Sequence, residues 1–501
     1  MILRGDREMV RPAGADSAPL DDLFRRAGVQ SADAPAMIDP PNRASFTHGA
    51  PRRLTYAQAD RAISTLAARL CRLGLQTDAV VAIQLPNTVE SVITLLAVLR
   101  AGMIAVPLPL LWRSYDLRAA LAHVGAKAII TTSRVGDVDH AKLAVQVAAE
   151  LFPVRFVCAY GEDLPDGVIA LDDIFTSDQN VIVPRSVRTG HAADHVAVVT
   201  FDVTTDGLVA VPRSHAQLIA GSTPLIPRAT AANHTNILSA IPASSFAGLA
   251  VSVLPWLQDG GTLSLHHGFD SVSFFAQCLE HSGGRVVLPG PALGIIGSAA
   301  NLSVTNTKAV ALWRSPEQLA SAPGWRSGCA LIDVACFGEI GLIATHRGDD
   351  GLPADIPLNA GGGVIESKRT KHGTLALRGA MLPTHSFPLG AASGLVPGDD
   401  GFIDTGFTCK LDAPNQTLTI SGPPGSITVI GGYRFKPADL DFQVNAADAA
   451  ATIVALPGGM LAERLAGRAL DPVAVRTRLL ENGANPLIAE AFRPRGTANA
   501  A

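Results

Sequence analysis

Residues 196–215, VAVVTFDVTTDGLVAVPRSH, have the spacing of a loop that cradles nucleotide phosphates. Such a loop needs small residues, so that backbone N–H groups can approach the oxygens, and usually a lysine to neutralise charge. Here the central positions are Asp202, Val203, Thr204, Thr205, Asp206 and Gly207, with Val209 where a basic residue would serve. Thr204 and Thr205 keep hydroxyls that can donate to phosphate. Val203 places a branched side chain where backbone should approach a ligand. Asp202 and Asp206 would repel a triphosphate by ~1–4 kcal/mol each at about 4 Å. The frame points to ATP chemistry and its contents to a decayed site. The plainer alternative is a strand-to-helix loop with Ser214 near a helix start.

The elements around this stretch alternate. LTYAQADRAISTLAARLCRLG is an amphipathic helix ending at Gly74. AVVAIQLP follows as a strand, TVESVITLLAVLRAG as a helix, MIAVPLP as a strand, DLRAALAHVG as a helix and AKAIITT as a strand. Helices alternating with short β-branched strands imply a parallel sheet with crossover helices. HVAVVTF, NILSAIP, GTLSLHH and GRVVLPG continue the pattern. After about residue 350, GTLALRGAML, GFIDTGFTCKLD and QTLTISGPPGSITVIGG read as antiparallel strands joined by Gly, Pro and Asn turns. The last segment offers a strand near Ser426–Ile430 and helical patches at 437–444, 461–468 and 472–481.

The chain has 501 residues, enough for two or more domains, and 48% of them are hydrophobic while 17% are charged, as in a compact globular protein. A net charge of −4 without a basic tract argues against nucleic acid as a partner. Six scattered cysteines with no CxxC pair fit a reducing compartment and give no sign of a zinc site. The first twenty residues lack the apolar core of a signal peptide. The most membrane-like stretch, Ser91 to Trp112, contains Arg100, Pro107 and Pro109 and reads as a buried helix and strand rather than a span. The expectation is a soluble, cytoplasmic protein.

From Leu54 to Asp441 the order of these segments resembles the adenylate-forming superfamily, which includes acyl-CoA and aryl-CoA synthetases and peptide-synthetase adenylation domains. LTYAQADRAISTLAARL, LPNTVESVITLLAVLRAGMIAVPL, LPWLQDGGTLSLHHGFD and RVVLPGPAL carry the likeness. The resemblance implies an α/β fold: a large N-terminal region of stacked αβαβα sheets with an antiparallel β subdomain, and a reduced C-terminal α+β lobe. The boundaries it suggests are an arm over 1–50, the large domain over 51–425 and the C-terminal domain over 426–501. It also implies ATP or AMP and Mg²⁺ as cofactors, with CoA as a thiol acceptor. Activation of a small carboxylic acid by ATP and transfer to a thiol would be the reaction.

Four parts of that chemistry can be checked. Aligned through Ser214-His215, the family's phosphate loop leaves only Thr204 and Thr205 as hydroxyl-bearing matches. CFGEIGL resembles the family's Tyr-Gly-x-Thr-Glu segment and puts Glu339 on the glutamate that holds Mg²⁺ and ATP, although Ala335, Cys336 and Gly338 replace its neighbours. The ribose carboxylate falls on Phe407, with Asp404 three residues earlier. The hinge is Gly422-Pro423-Pro424-Gly425-Ser426, and Gly432, Arg434, Pro437 and Asp439 keep a downstream pattern. The last lysine is Lys436, so the catalytic lysine of the C-terminal domain has no counterpart beyond it, only arginines at 464, 468, 476, 478, 493 and 495. Ile241-Pro242-Ala243-Ser244-Ser245 replaces a bulky acyl-pocket segment, which should widen the cavity.

The resemblance leaves three readings. The first is a ligase-like protein with a degraded ATP site, kept to bind acyl groups or nucleotides or to serve a partner. The second is an active, divergent carboxylate–CoA ligase using Glu339 as its catalytic, cofactor and metal-binding residue. The third is an ATP-independent acyl-thioester transferase. Partners implied are a carboxylic acid or acyl thioester, a carrier protein or an active paralogue, and a second copy in a homodimer.

Overall fold

The Leu54–Gly74 segment folds as its periodicity requires. Thr55 caps the helix Tyr56–Arg72, accepting the Gln58 N–H at 3.2 Å while the Gln58 side chain accepts the Thr55 N–H at 2.9 Å. The next helix, Val89–Arg100, is buried along its whole length except at Ser91. An apolar helix of this kind needs neighbours on every side, and it has them between two sheets. The membrane-like stretch is thus a core helix and the core strand Ile104–Pro107. Among the described residues, no helix is long and apolar enough to cross a membrane.

A computed structural model describes residues 18–493 apart from 178–180, 185–187, 226–234, 281–282, 297–307, 326–328, 359–363, 393 and 459–460. One sheet has eight strands in the order Gly341–His346, Leu331–Phe337, Lys308–Trp313, Arg285–Pro289, Ile237–Ser239, Leu263–Leu265, Pro35–Ile38 and Arg53–Thr55, parallel except for its two edge strands. A second has seven, with Val80–Ile83, Ile104–Pro107 and Ala128–Thr132 at its centre and Val196–Thr204 and Gly207–Ser214 at one edge. A five-stranded antiparallel sheet includes Thr374–Gly379, Ile403–Asp412 and Thr417–Gly422. The fold class is therefore the α/β arrangement expected, with the antiparallel subdomain where the Gly- and Pro-rich turns placed it.

Part of the segment read as an arm packs into this body. Leu20 and Phe24 of the helix Leu20–Gln30 are buried, Arg100 reaches Asp21 at 2.7 Å, and Pro35–Ile38 pairs with Leu263–Leu265. Residues 1–17 lie outside the described residues.

The C-terminal lobe has a four-stranded sheet and a separate core that includes Leu440, Val444, Val475, Leu479 and Phe492. Helices cover Pro437–Ala447 and Pro472–Glu481 as expected. The helical patch expected at 461–468 is instead a strand, Ala462–Arg468, paired antiparallel with Thr452–Gly458. Its Ala, Glu, Arg and Leu residues are good helix formers, but propensity is a weak constraint and the strand pairing overrides it. A Cβ at Gly467 would come 2.5 Å from the Phe492 ring, so that glycine is part of how the strand meets the lobe's core.

Candidate functional site

Four parallel strands of the eight-stranded sheet, Ile237–Ser239, Arg285–Pro289, Lys308–Trp313 and Leu331–Phe337, end at one cavity of about 910 Å³. Open α/β sheets bind ligands outside the carboxyl ends of their strands. The residues just after those strands, including Ile241, Pro291, Arg314 and Glu339, form one wall. Trp112, Phe201 and Leu208 form an apolar side. The C-terminal lobe closes the space with Gly431–Lys436, Asp439 and Gln443.

The stretch with phosphate-loop spacing is a β-hairpin. Val196–Thr204 pairs antiparallel with Gly207–Ser214 through Asp202↔Val209, Val203↔Leu208 and Thr204↔Gly207. The turn runs through Thr205 and Asp206, and Gly207 follows at φ 103°, where a side chain would be strained. Asp206 in the loop and Gly207 at its exit are turn residues between two β-branched runs. Thr204 Oγ accepts the Asp206 N–H at 3.2 Å, closing the turn on itself. Neither Thr204 nor Thr205 lines the cavity, whereas Asp202, Val203 and Leu208 do. Val209, at the position of the absent lysine, is buried in the sheet. Ser214 caps the helix His215–Ser222 in a capping box with Gln217, as the plainer reading held. His215 Nδ1 accepts the Leu20 N–H at 3.2 Å, and burial pushes its pKa down to about 3.

Glu339 does reach the cavity wall, but its carboxylate has partners of its own. One oxygen accepts the Thr200 hydroxyl at 2.6 Å and the Phe246 N–H at 2.9 Å. Arg213 lies 3.9 Å from the same oxygen, stacks over the Phe246 ring at 3.7 Å and donates to the Glu339 and Ile340 carbonyls. Burial raises the Glu339 pKa, with Arg213 opposing it, and pushes the Arg213 guanidinium down to about 10.

Asp202 is equally committed. Its Oδ1 pairs with Arg434 at 2.6 Å, and its Oδ2 accepts the Glu339 N–H at 2.7 Å. Gly338 makes room for both. Its φ is 58°, and a Cβ there would collide with Asp202 and come 2.5 Å from Arg434. Sequence spacing singled out Asp202 as a repulsive charge; the partner that neutralises it stands 232 residues away on the C-terminal lobe.

At the ribose-carboxylate position, Phe407 is buried and packs edge-on against Phe337 at 5.5 Å. Asp404 is exposed, accepting the Thr374 hydroxyl at 2.8 Å and the Gly406 N–H at 2.9 Å. Lys436, the last lysine, lines the cavity from the lobe. Arg495 lies outside the described residues.

These donor sets do not fit Mg²⁺. Among the described residues, no three His, Cys, Asp or Glu side chains gather at a point. The Glu339 oxygen that Thr200 and Phe246 use is already hydrogen-bonded twice, and the nearest carboxylate, Asp202, is neutralised by Arg434. A divalent ion prefers several oxygen ligands at once, and a Glu339–Arg213 pair leaves little charge for one.

The profile of the AMP-binding enzyme family matches residues 23–294. The chain is 26% identical over 474 residues, 88% of its length and 83% of the relative's, to the 2-hydroxy-7-methoxy-5-methyl-1-naphthoate–CoA ligase of Streptomyces carzinostaticus. It is 27% identical over 310 residues to pseudomonine synthase PmsE of Pseudomonas entomophila, spanning 60% of this chain and about half, 49%, of that protein. Among solved structures, apo MbtA of Mycobacterium smegmatis superposes with TM-score 0.66 at 22% identity, covering 95% of this chain and 91% of the other. The amide bond synthetase McbA of Marinactinospora thermotolerans superposes with TM-score 0.69 at 16% identity, covering 94% of each. The two structures share the fold.

Proposed function

The chain belongs to the AMP-binding enzyme family, within the adenylate-forming superfamily, and from that premise we propose a ligase-like protein whose triphosphate site has closed. In this reading it binds a small carboxylic acid or acyl thioester, in the manner of its naphthoate–CoA ligase relative, with little or no adenylation. The observation that carries the reading is the Asp202 carboxylate. It sits where a phosphate loop should offer donors, and it is held by Arg434 and the Glu339 N–H.

Three further features support it. The hairpin pairs its backbone across the ladder, Val209 offers no charge, and Phe407 cannot accept a hydrogen bond from ribose. Loss of one preorganised contact commonly costs about 10²–10³ in rate, so several together leave little turnover. The domain division at about residue 425 belongs to the same reading, with the C-terminal lobe covering the acyl cavity through Gly432, Tyr433 and Lys436.

One observation favours a second reading, an active divergent ligase. Lys436 and Arg314 line the same cavity as Glu339, and either could face a developing charge. Calorimetric titration separates the two. A closed site gives no heat with Mg–ATP and a saturable heat with an apolar carboxylic acid; saturable Mg–ATP binding supports the ligase.

A further inference from the structure

We propose that Arg314 is the carboxylate-binding residue of the cavity, holding a monoanionic, apolar organic acid as an ion pair without nucleotide. This rests on the reading of the cavity as an acyl-group site and goes on to say which side chain selects the ligand.

Arg314 follows directly on the strand Lys308–Trp313, at the carboxyl end of the sheet, and lines the cavity. It makes one hydrogen bond, donating from Nη2 to Ser245 Oγ at 3.0 Å, and no ion pair among the described residues. That bond fixes the direction of the guanidinium. Gly432 of the C-terminal lobe packs on its aliphatic stem so closely that any side chain there would collide with it. A guanidinium carries five N–H donors, so the rest of the fork is available to an acceptor entering the cavity. The other arginines of the wall region are spent: Arg213 is buried against Glu339, and Arg434 against Asp202.

Charge selects the anion. A tri- or tetra-anionic phosphate chain needs several unpaired cations, whereas Arg434 is held by Asp202, which leaves Arg314 and Lys436 among the cationic residues that line the cavity. A single carboxylate balances Arg314 one for one and can engage its fork in a bidentate pair. Body follows head: Trp112 and Phe201, with ring centroids 5.6 Å apart, and Ile241 offer the apolar surface that an organic acid needs and an inorganic anion does not.

The test is calorimetry on the full chain with 2-naphthoate and its neutral counterpart 2-naphthamide, comparing wild type with R314Q, R314K and K436Q. The expected result is that the wild type prefers the acid and R314Q loses about 10- to 100-fold in affinity for it. Amide binding stays within a few fold, so the preference disappears. R314K keeps the charge without the fork and falls between; it also decides the matter if R314Q fails to fold. Unchanged naphthoate affinity in R314Q, or a loss confined to K436Q, overturns the assignment while leaving the acyl-site reading intact. A wild type that binds neither compound at millimolar concentration overturns both. AMP that displaces naphthoate only when Arg314 is present overturns the choice of carboxylate over phosphate.

Discussion

Arg434 of the C-terminal lobe holds Asp202 of the hairpin at 2.6 Å, with side chains 11% and 1% exposed. The same carboxylate takes the Glu339 N–H, so one residue joins the hairpin, the turn after the strand Leu331–Phe337 and the lobe. Removing one partner of a buried ion pair costs about 3–5 kcal/mol, because the other charge is stranded. D202A and R434A should therefore both lower the denaturation midpoint and speed hydrogen exchange over Thr428–Phe435. D202N, which can still accept the Glu339 N–H, should do less. Equal exchange in all variants would mean that the lobe is held by its other contacts.

Glu339 is expected to behave as a structural carboxylate. E339A leaves Arg213 buried without its anion and the Phe246 N–H without an acceptor, a loss of about 3–5 kcal/mol. E339Q keeps the acceptor and should lose less. Added Mg²⁺ should not raise the melting temperature of the wild type. A Mg²⁺-dependent rise that E339Q abolishes would give Glu339 the metal role that the resemblance implied.

Restoring a lysine at the phosphate-loop position should fail. Val209 is buried in the hairpin opposite Asp202, so V209K would bury an ammonium group beside a carboxylate that already pairs with Arg434, and burying a further charge there is costly. The variant should be less stable than the wild type and gain no ATP binding. A stable V209K that binds ATP would show that the hairpin opens readily.

Asp116, in the cavity wall, has its pKa raised from 3.8 to about 7, mainly by burial, with the backbone and charge of Arg113 opposing the shift. A carboxyl with a raised folded pKa contributes stability that is complete below 3.8 and is lost as pH climbs through about 7. Stability should thus decline between about pH 4 and about pH 7, with a contribution from this group of up to about 1.4 kcal/mol per pH unit, and level off above that. Urea denaturation of D116N should show a flatter decline over that range. An unchanged slope would assign the pH dependence to other groups.

Local pattern carried most of the fold. The 3.6-residue periodicity of Tyr56–Arg72 and the β-branched runs that became Val80–Ile83 and Ala128–Thr132 are short-range signals, legible without neighbours. The strand Ala462–Arg468 was not legible, because its conformation comes from pairing with Thr452–Gly458. Glu339 was found at the cavity wall because a motif marked it, but its partners Thr200 and Arg213 lie more than a hundred residues away. Arg314 carries no motif at all; only the convergence of four strand ends shows what it faces. The hairpin turn at Thr205-Asp206, followed by Gly207, carries local turn residues inside the phosphate-loop spacing.

The most direct test of the closed triphosphate site is ATP–pyrophosphate exchange by the purified chain with Mg²⁺ and a mixed panel of aromatic and aliphatic carboxylic acids. Exchange should stay at the no-enzyme background with every acid. Exchange above background with any one of them, lost in E339Q, would contradict the account and make this chain a working ligase.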